Sequence, residues 1–305
     1  MNIESFTAST IPALIYKFHE EKNGDWRRPH LGASIIGREC SRQIWYSFHW
    51  CKAPAFDGRM LRLFETGNLA EDRLFKELRG IGIKVHSQQK NVPLFPHFGG
   101  SIDGIGEGFP ESKVPHLLEV KTANAKSWKD TSEKGVLASK PEHYAQMQTY
   151  MGGLGLTRAY YFMINKDTDE IYAERIKFDK GVYIATMDKA EQIIKTASPK
   201  DLPRVASGPA YPPCRWCDYK QMCHGKDKPE VNCRTCLHST PIDDGLECHK
   251  HGGTMPVDFQ REGCLDHLFI PSLLNMEAVD STADSVEYEN GWTNKNNSLD
   301  YVPTV

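Results

Sequence analysis

Residues 116–122 read HLLEVKT, and this short stretch decides the fold. Side chains alternate faces along a strand, so Leu118 and Val120 share one side while Glu119 and Lys121 share the other. A carboxylate and an ammonium on a buried strand are costly unless they pair or hold a metal. The pattern E-x-K also occurs at Glu20-x-Lys22 and Glu111-x-Lys113, but only the third copy lies in an apolar strand. An edge-strand ion pair is the competing reading. Sixteen residues upstream, GGSIDGIG places Asp103 at the end of another strand candidate. Two strands of a small sheet would bring Asp103 to Glu119. Two carboxylates form an oxygen site suited to magnesium or manganese. Such an ion polarises a phosphodiester and generates hydroxide, while Lys121 would hold the attacking water or offset charge on the phosphate. For Asp103 alone, a plain turn aspartate is the competing reading.

Working outward, GRMLRLFETGNLAEDRLFKELRG (58–80) carries apolar positions at helical spacing and predicts a helix stopped by Gly80 and Gly82. Gly67-x-x-x-Glu71 puts a carboxylate on it. Short strands are expected at Ile83–His86, Val92–Phe98 and His116–Thr122, and helices at 124–134, 141–152 and 181–197. Residues 158–164 and 170–178 read as a strand pair around a turn at Asn165–Asp169. In HYAQMQTYM, Gln146 and Tyr150 are four apart and share one helix face, so Gln146 is a candidate for touching a metal-bound water or phosphate. The alternative is a core-facing helix with an incidental glutamine. Trp45 and Trp128 lie near these motifs and are candidates for stacking on bases, although such rings are more often core.

The composition is that of a globular chain, with 39% hydrophobic and 25% charged residues, which excludes wholesale disorder. No apolar run approaches the roughly 18 residues of a membrane span, and the N-terminus lacks a signal-peptide pattern, so no membrane association and a cytoplasmic location, in a bacterium or a phage-infected host cell, are expected. Net charge is −3, but residues 275–305 hold six acids against Lys295, so residues 1–274 come to about +2. A near-neutral body argues against non-specific coating of nucleic acid and still permits a local basic groove. Prolines concentrate in SPKDLPRVASGPAYPP (198–213), which separates a mixed α/β body from a cysteine-rich region, and VEYENGWTN in the acidic tail predicts a small hairpin.

Nine cysteines in a reducing compartment point to metal rather than disulfides. Cys214-x2-Cys217-x5-Cys223 has metal-ligand spacing and needs a fourth ligand, for which Cys233, Cys236 and the distant Cys40 are candidates. Zinc or a 4Fe-4S cluster suits four thiolates. Cys233-x2-Cys236-x11-Cys248-x15-Cys264 reads as a separate zinc site, with His267 as rival to Cys264. Cys51 is left over and assigned to packing.

The succession GNLAEDRLF, GGSID, LLEVKT, YAQMQTY resembles the PD-(D/E)XK nucleases, and within them the RecB-like exonucleases, including CRISPR-associated RecB-like nucleases with an iron–sulfur cluster. The resemblance runs over roughly residues 31–225. It implies a restriction-endonuclease-like α/β (α+β) core, with a central mixed sheet flanked by helices. It implies that Asp103 and Glu119 bind Mg2+ or Mn2+, that Lys121 assists catalysis, and that Gln146 and Tyr150 form the Q-x-x-x-Y motif. Many RecB-like members carry histidine in the first motif; this chain has Glu71, as lambda-exonuclease-like members do. The family's C-x-R-x-x-x-Y context matches Cys40, Arg42 and Tyr46, so the implied 4Fe-4S ligands are Cys40, Cys214, Cys217 and Cys223, with Arg42 a candidate for DNA phosphate. The cysteine-rich segment resembles tails of phage-type nucleases.

The resulting expectation has three parts. Residues 1–225 form a nuclease domain closed by an iron–sulfur cluster, 226–272 a zinc-binding module, and 273–305 an acidic tail. The expected activity is a metal-dependent DNA exonuclease acting at ends or on single strands, in recombination, repair or phage DNA metabolism, with a recombination protein as partner. An endonuclease or nickase of the same superfamily, and a catalytically silent DNA-binding adaptor, are the alternatives.

Overall fold

A computed structural model describes residues 9–282, 284–289, 291 and 293–295. The chain opens with helix α1 (Ile11–Glu21), a two-residue strand β1 (Leu31–Gly32), and helices α2 (Ser41–Phe48) and α3 (Gly58–Gly80). Strands β2 (Lys84–His86), β3 (Lys90–Phe95), β4 (Phe98–Ile102), β5 (Gly104–Glu107) and β6 (His116–Ala123) follow. Next come helices α4 (Ala125–Lys134), α5 (Val136–Ser139) and α6 (Pro141–Leu154), the strand pair β7 (Arg158–Asn165) and β8 (Ile171–Lys177), and helix α7 (Lys180–Lys195).

Five strands form the central sheet in the order β2-β5-β6-β7-β8, with β6 and β7 parallel and the other neighbours antiparallel. Strand β6 is interior, which explains its nearly continuous apolar run. The expected alternation holds. Leu118 and Val120 pack with Leu74, Phe75 and Leu78 of α3, while Leu117 joins Met147, Tyr150 and Met151 of α6 in the main core. Each such fully buried side chain contributes about 1.5–3 kcal/mol. A second sheet, β1-β4-β3, stands beside the first. The mixed α/β core with a central mixed sheet flanked by helices is therefore present as expected.

Local chemistry sets the element boundaries. The Asp57 carboxylate accepts from the Met60 amide at 2.7 Å and starts α3. Asn124 accepts from the Ser127 amide at 2.9 Å and starts α4. Helix α6 begins at Pro141 and ends at Gly155, whose left-handed backbone (φ 68°) favours glycine. The proline-rich stretch is largely irregular, with one 3-10 turn at Pro199–Asp201.

The cysteine-rich region follows α8 (Pro212–Arg215) and α9 (Lys220–His224) as a small antiparallel sheet, β11-β10-β9, of β9 (Ser239–Ile242), β10 (Gly245–Cys248) and β11 (Thr254–Met255), with a short helix α10 (Val257–Glu262). It is welded to the chain's beginning. Arg234, 4% exposed, donates to the carbonyls of Phe48 (3.1 Å) and Pro29 (2.7 Å) and lies 4.2 Å over the Trp50 ring. Asn232 donates to the Trp50 carbonyl at 3.0 Å. The tail hairpin appears as β13 (Ser285–Tyr288) against β14 (Thr293–Lys295), with β12 (Ala278–Ser281) on its other side. Asn290 of its expected turn lies outside the described residues.

Candidate active site

Asp103 is the single residue between β4 and β5, at the step from the second sheet to the central one. Because Gly104 registers with Leu118, Asp103 arrives level with Glu119. Its Oδ2 accepts from the Val120 amide at 2.8 Å. Glu119 is fully buried, and its Oε1 lies 2.5 Å from the Lys121 ammonium on the same strand face. Its Oε2 accepts from Gln146 Nε2 at 3.1 Å. Glu71, one to two turns before the α3 residues that pack on β6, accepts from Gln89 Nε2 at 2.9 Å. The sequence pattern thus brings Glu71, Asp103, Glu119, Lys121 and Gln146 into one cleft.

The electrostatics are those of a crowded anionic site. Burial pushes the Glu71 carboxyl up to about 7, and neighbouring Asp103 adds to the shift. Burial also lifts Glu119 to about 7; Lys121 opposes this and Asp103 reinforces it. Asp103 is raised by burial, against the pull of Lys121 and the Val120 amide. For Lys121, burial favours the neutral amine, yet Glu119, Asp103 and Glu71 outweigh it and raise its pKa, so the ammonium stays charged. Three carboxylates around one ammonium leave surplus negative charge in a desolvated cleft. Asp103 and Glu71 each spend one oxygen on a protein donor, leaving the other for a cation. An oxygen-only, anionic donor set of this kind fits magnesium or manganese.

Gln146 and Tyr150 lie one turn apart on α6 with different surroundings. Gln146 is buried and grips Glu119. The Tyr150 ring is in the core, and its hydroxyl lies against Gly100, where a Cβ would come within 2.4 Å of that oxygen. Burial, then the Glu119 charge, holds the Tyr150 phenol protonated.

Arg42 donates to the carbonyls of Lys200 (3.1 Å) and Leu202 (3.0 Å), so its guanidinium pins the proline-rich stretch. The Trp128 indole donates to the Met163 carbonyl of β7 at 3.2 Å and packs on the core. The Trp45 indole is fully buried and donates to the Thr196 carbonyl. These contacts occupy the groups for which nucleic acid was the other candidate. Two residues beside the site carried no motif. Gln89 reaches Glu71 from a turn with positive φ, which a lone glutamine does not advertise. His143 bonds Tyr161 at 2.9 Å and is held neutral, its pKa lowered to about 3 by burial and then by Lys121. Its i−3 spacing from Gln146 was the available signal.

The cysteines gather in two places. Burial raises the Cys214 thiol, with Cys40 and Cys223 adding to it, and Cys217 responds to burial and then, among charges, to Cys40. The distant Cys40 has therefore come to the Cys214–Cys223 segment, beside the stacked rings of Tyr46 and Tyr219. In the tail, burial pushes Cys233 up to about 12, helped by Cys236, Cys264 and Cys248. His267 is buried, and its Nε2 is 3.2 Å from the Thr235 hydroxyl. Among the described residues, ligand atoms of His251, Cys264 and Asp266 lie within 4.8 Å of one another.

No known family profile matches the chain, and no curated protein matches it. Among solved structures, the alkaline exonuclease LHK-Exo from Laribacter hongkongensis is similar at 18% identity, TM-score 0.43, over 58% of this chain and 90% of its own. The same enzyme in complex with dAMP matches at 19% identity and TM-score 0.43, over 55% of this chain and 87% of its own. A phage-related exonuclease from Haemophilus somnus 129PT matches at 15% identity and TM-score 0.34, over 43% of this chain and 68% of its own. All are remote; what the cleft can do is decided by the chain's own side chains.

Proposed function

We propose that this protein is a divalent-metal-dependent DNA exonuclease whose metal is held by Asp103, Glu119 and Glu71. The observation that carries the reading is the convergence of those three carboxylates with the Lys121 ammonium on adjoining strands and a helix. Magnesium or manganese, when bound there, supplies a polarised phosphodiester and an activated water. The protein's own groups do the rest. Lys121, kept charged by its neighbours, offsets negative charge growing on the phosphate. Gln146, Gln89 and the Val120 amide fix one oxygen each of Glu119, Glu71 and Asp103, so the cleft needs little rearrangement. The gathering of Cys40 with Cys214, Cys217 and Cys223 supports a 4Fe-4S cluster that staples the chain's beginning to the end of the core. Cys233, Cys236, Cys248 and Cys264 would hold zinc.

The test is digestion of end-labelled linear DNA and of covalently closed circular DNA with Mg2+ or Mn2+. Cleavage of the linear substrate alone is expected. Digestion of the closed circle would make the enzyme an endonuclease or nickase, and metal-dependent binding without cleavage would make it an adaptor. Lys121→Ala should lose about 10²–10³-fold in cleavage with an unchanged circular dichroism spectrum; undiminished activity would sink the assignment. Iron and zinc analysis of anaerobically purified protein checks the two cysteine groups.

A further inference from the structure

A second concavity lies near the site. A cavity of about 500 Å³ lies between the segment after α1, strand β1 and helix α3. Its lining includes Arg27, Arg28, Arg38 and Lys52 and no carboxylate, in a protein of net charge −3. Arg27 is neutralised by Asp25 at 2.8 Å, and Arg38 has a looser partner in Glu142 at 3.7 Å. Arg28 and Lys52 are exposed and, among the described residues, have no carboxylate within ion-pair distance. The wall between these cations is aromatic. The Trp26 ring stands edge-on to Phe56 at 5.1 Å and remains 38% exposed.

Position ties this cavity to the candidate active site. Asn68 lines it, and Asn68 stands three residues before Glu71 on the same helix, hence on the same face. Strand β1, which lines it from the other side, pairs in parallel with β4, which ends one residue before Asp103. The Arg28 charge also reaches the Tyr150 hydroxyl, which lies against β4.

We infer that this cavity is a binding subsite for single-stranded nucleic acid, taking unpaired nucleotides next to the phosphate held at the carboxylates. Arg28 and Lys52 would contact backbone phosphates, and Trp26 with Phe56 would offer ring faces to unstacked bases. A cation-lined groove with an exposed indole beside a half-buried phenyl ring suits single strands, because every base has a face to stack and the phosphates need only charge. Duplex DNA keeps its bases stacked and gains nothing from Trp26. The inference deepens the nuclease reading by naming the form of substrate that the site prefers.

The experiment measures binding rather than cleavage. Fluorescence anisotropy of a labelled single-stranded oligonucleotide and of its duplex is recorded with the Lys121→Ala protein, then with Arg28→Ala/Lys52→Ala and with Trp26→Ala added to that background. Tighter binding of the single strand is expected. The double variant should weaken it at least about tenfold and flatten the dependence of log Kd on log salt by about 1.4, for two lost phosphate contacts. Trp26→Ala should weaken it by about tenfold with the salt slope kept. An unchanged single-strand affinity and slope in the double variant would overturn the inference, as would a duplex preference that the three substitutions reduce equally. Arg28 and Lys52 are exposed, so thermal melting should match the parent and rule out misfolding as the cause. If the unsubstituted protein cleaves nothing while the binding results hold, the nuclease reading falls and the subsite stands.

Discussion

Single side chains here do work that their position in the fold makes unavoidable. Gln146 is the clearest case, since it spends its amide on Glu119 rather than on solvent. Removing it frees the carboxylate to turn, so Gln146→Ala should raise the metal concentration for half-maximal cleavage by roughly 10–100-fold; a titration with Mn2+ reads this directly. His49 sits apart from the cleft and adds to the protein's sensitivity to acid. It stacks on Trp45 at 3.6 Å, and burial depresses its pKa to about 3. The unfolded chain takes up a proton near pH 6.5 that the folded chain refuses until about pH 3, so stability is full above pH 6.5 and is lost as pH falls through that window. At pH 5 the loss from this residue is about 2 kcal/mol. Urea denaturation at pH 7 and pH 5 should show a smaller difference for His49→Phe than for the parent. The sequence marked Gln146 as a site candidate without showing Glu119 as its partner, and it gave no sign of the role of His49. Glu119, Lys121 and Asp103 were legible, because a charge inside an apolar strand is rare enough to be informative, whereas a glutamine or histidine on a helix has many fates.

Elements were legible where one periodicity ran uninterrupted. Helix α3 matches its expected limits, and β6, β7 and β8 differ from theirs by one or two residues, since long apolar patterns and the turn at Asn165–Asp169 leave little freedom. The stretch expected as one strand, Val92–Phe98, is two: β3 ends at Phe95, and a turn with His97 at positive φ starts β4. Proline at 93 and 96 and glycine at 99 and 100 gave no periodicity to read. Helix α1 and the cysteine-rich sheet were unread for a related reason: no residue of α1 is buried, and the short strands of the sheet carry mixed residues. Gly100 illustrates what tertiary contact adds. Its φ of +156° already disfavours a side chain, and the Tyr150 hydroxyl across the core fills the space a Cβ would take. Gly100→Ala should destabilise by about 1–3 kcal/mol through overpacking. Tyr150→Phe should return part of that loss in the double variant, a coupling that a denaturation cycle measures.

At the scale of the whole molecule, the chain's two ends hold each other. Residues 27–51 receive Arg234 and Asn232 from the cysteine-rich region, and Cys40 faces Cys214 and Cys217 across the end of the core. The expected boundary at 225/226 is therefore a boundary in composition, crossed by buried hydrogen bonds. Burial, with Arg261 nearby, lowers the Arg234 pKa to about 9, yet the guanidinium keeps two carbonyl partners and two aromatic neighbours. Arg234→Ala should cost at least about 2 kcal/mol, because it leaves those carbonyls unpaired and uncovers Trp50; chemical denaturation of the full chain checks it. Sequence spacing could group the cysteines but could not show this weld, since its partners lie about two hundred residues apart.

Asp103 is the single residue joining β4 to β5, two strands that belong to different sheets. Its geometry is thus a property of a joint rather than of a segment. A lineage that lengthened this connection by one residue would turn the carboxylate away from Glu119 while leaving both sheets able to form. The loop from Gly108 to Pro115, between the next two strands, carries no such constraint. Length variation among descendants of this chain should therefore accumulate in that loop and stay away from the joint, and a deep mutational library that includes single insertions would show the contrast as a sharp dip in tolerance at one codon.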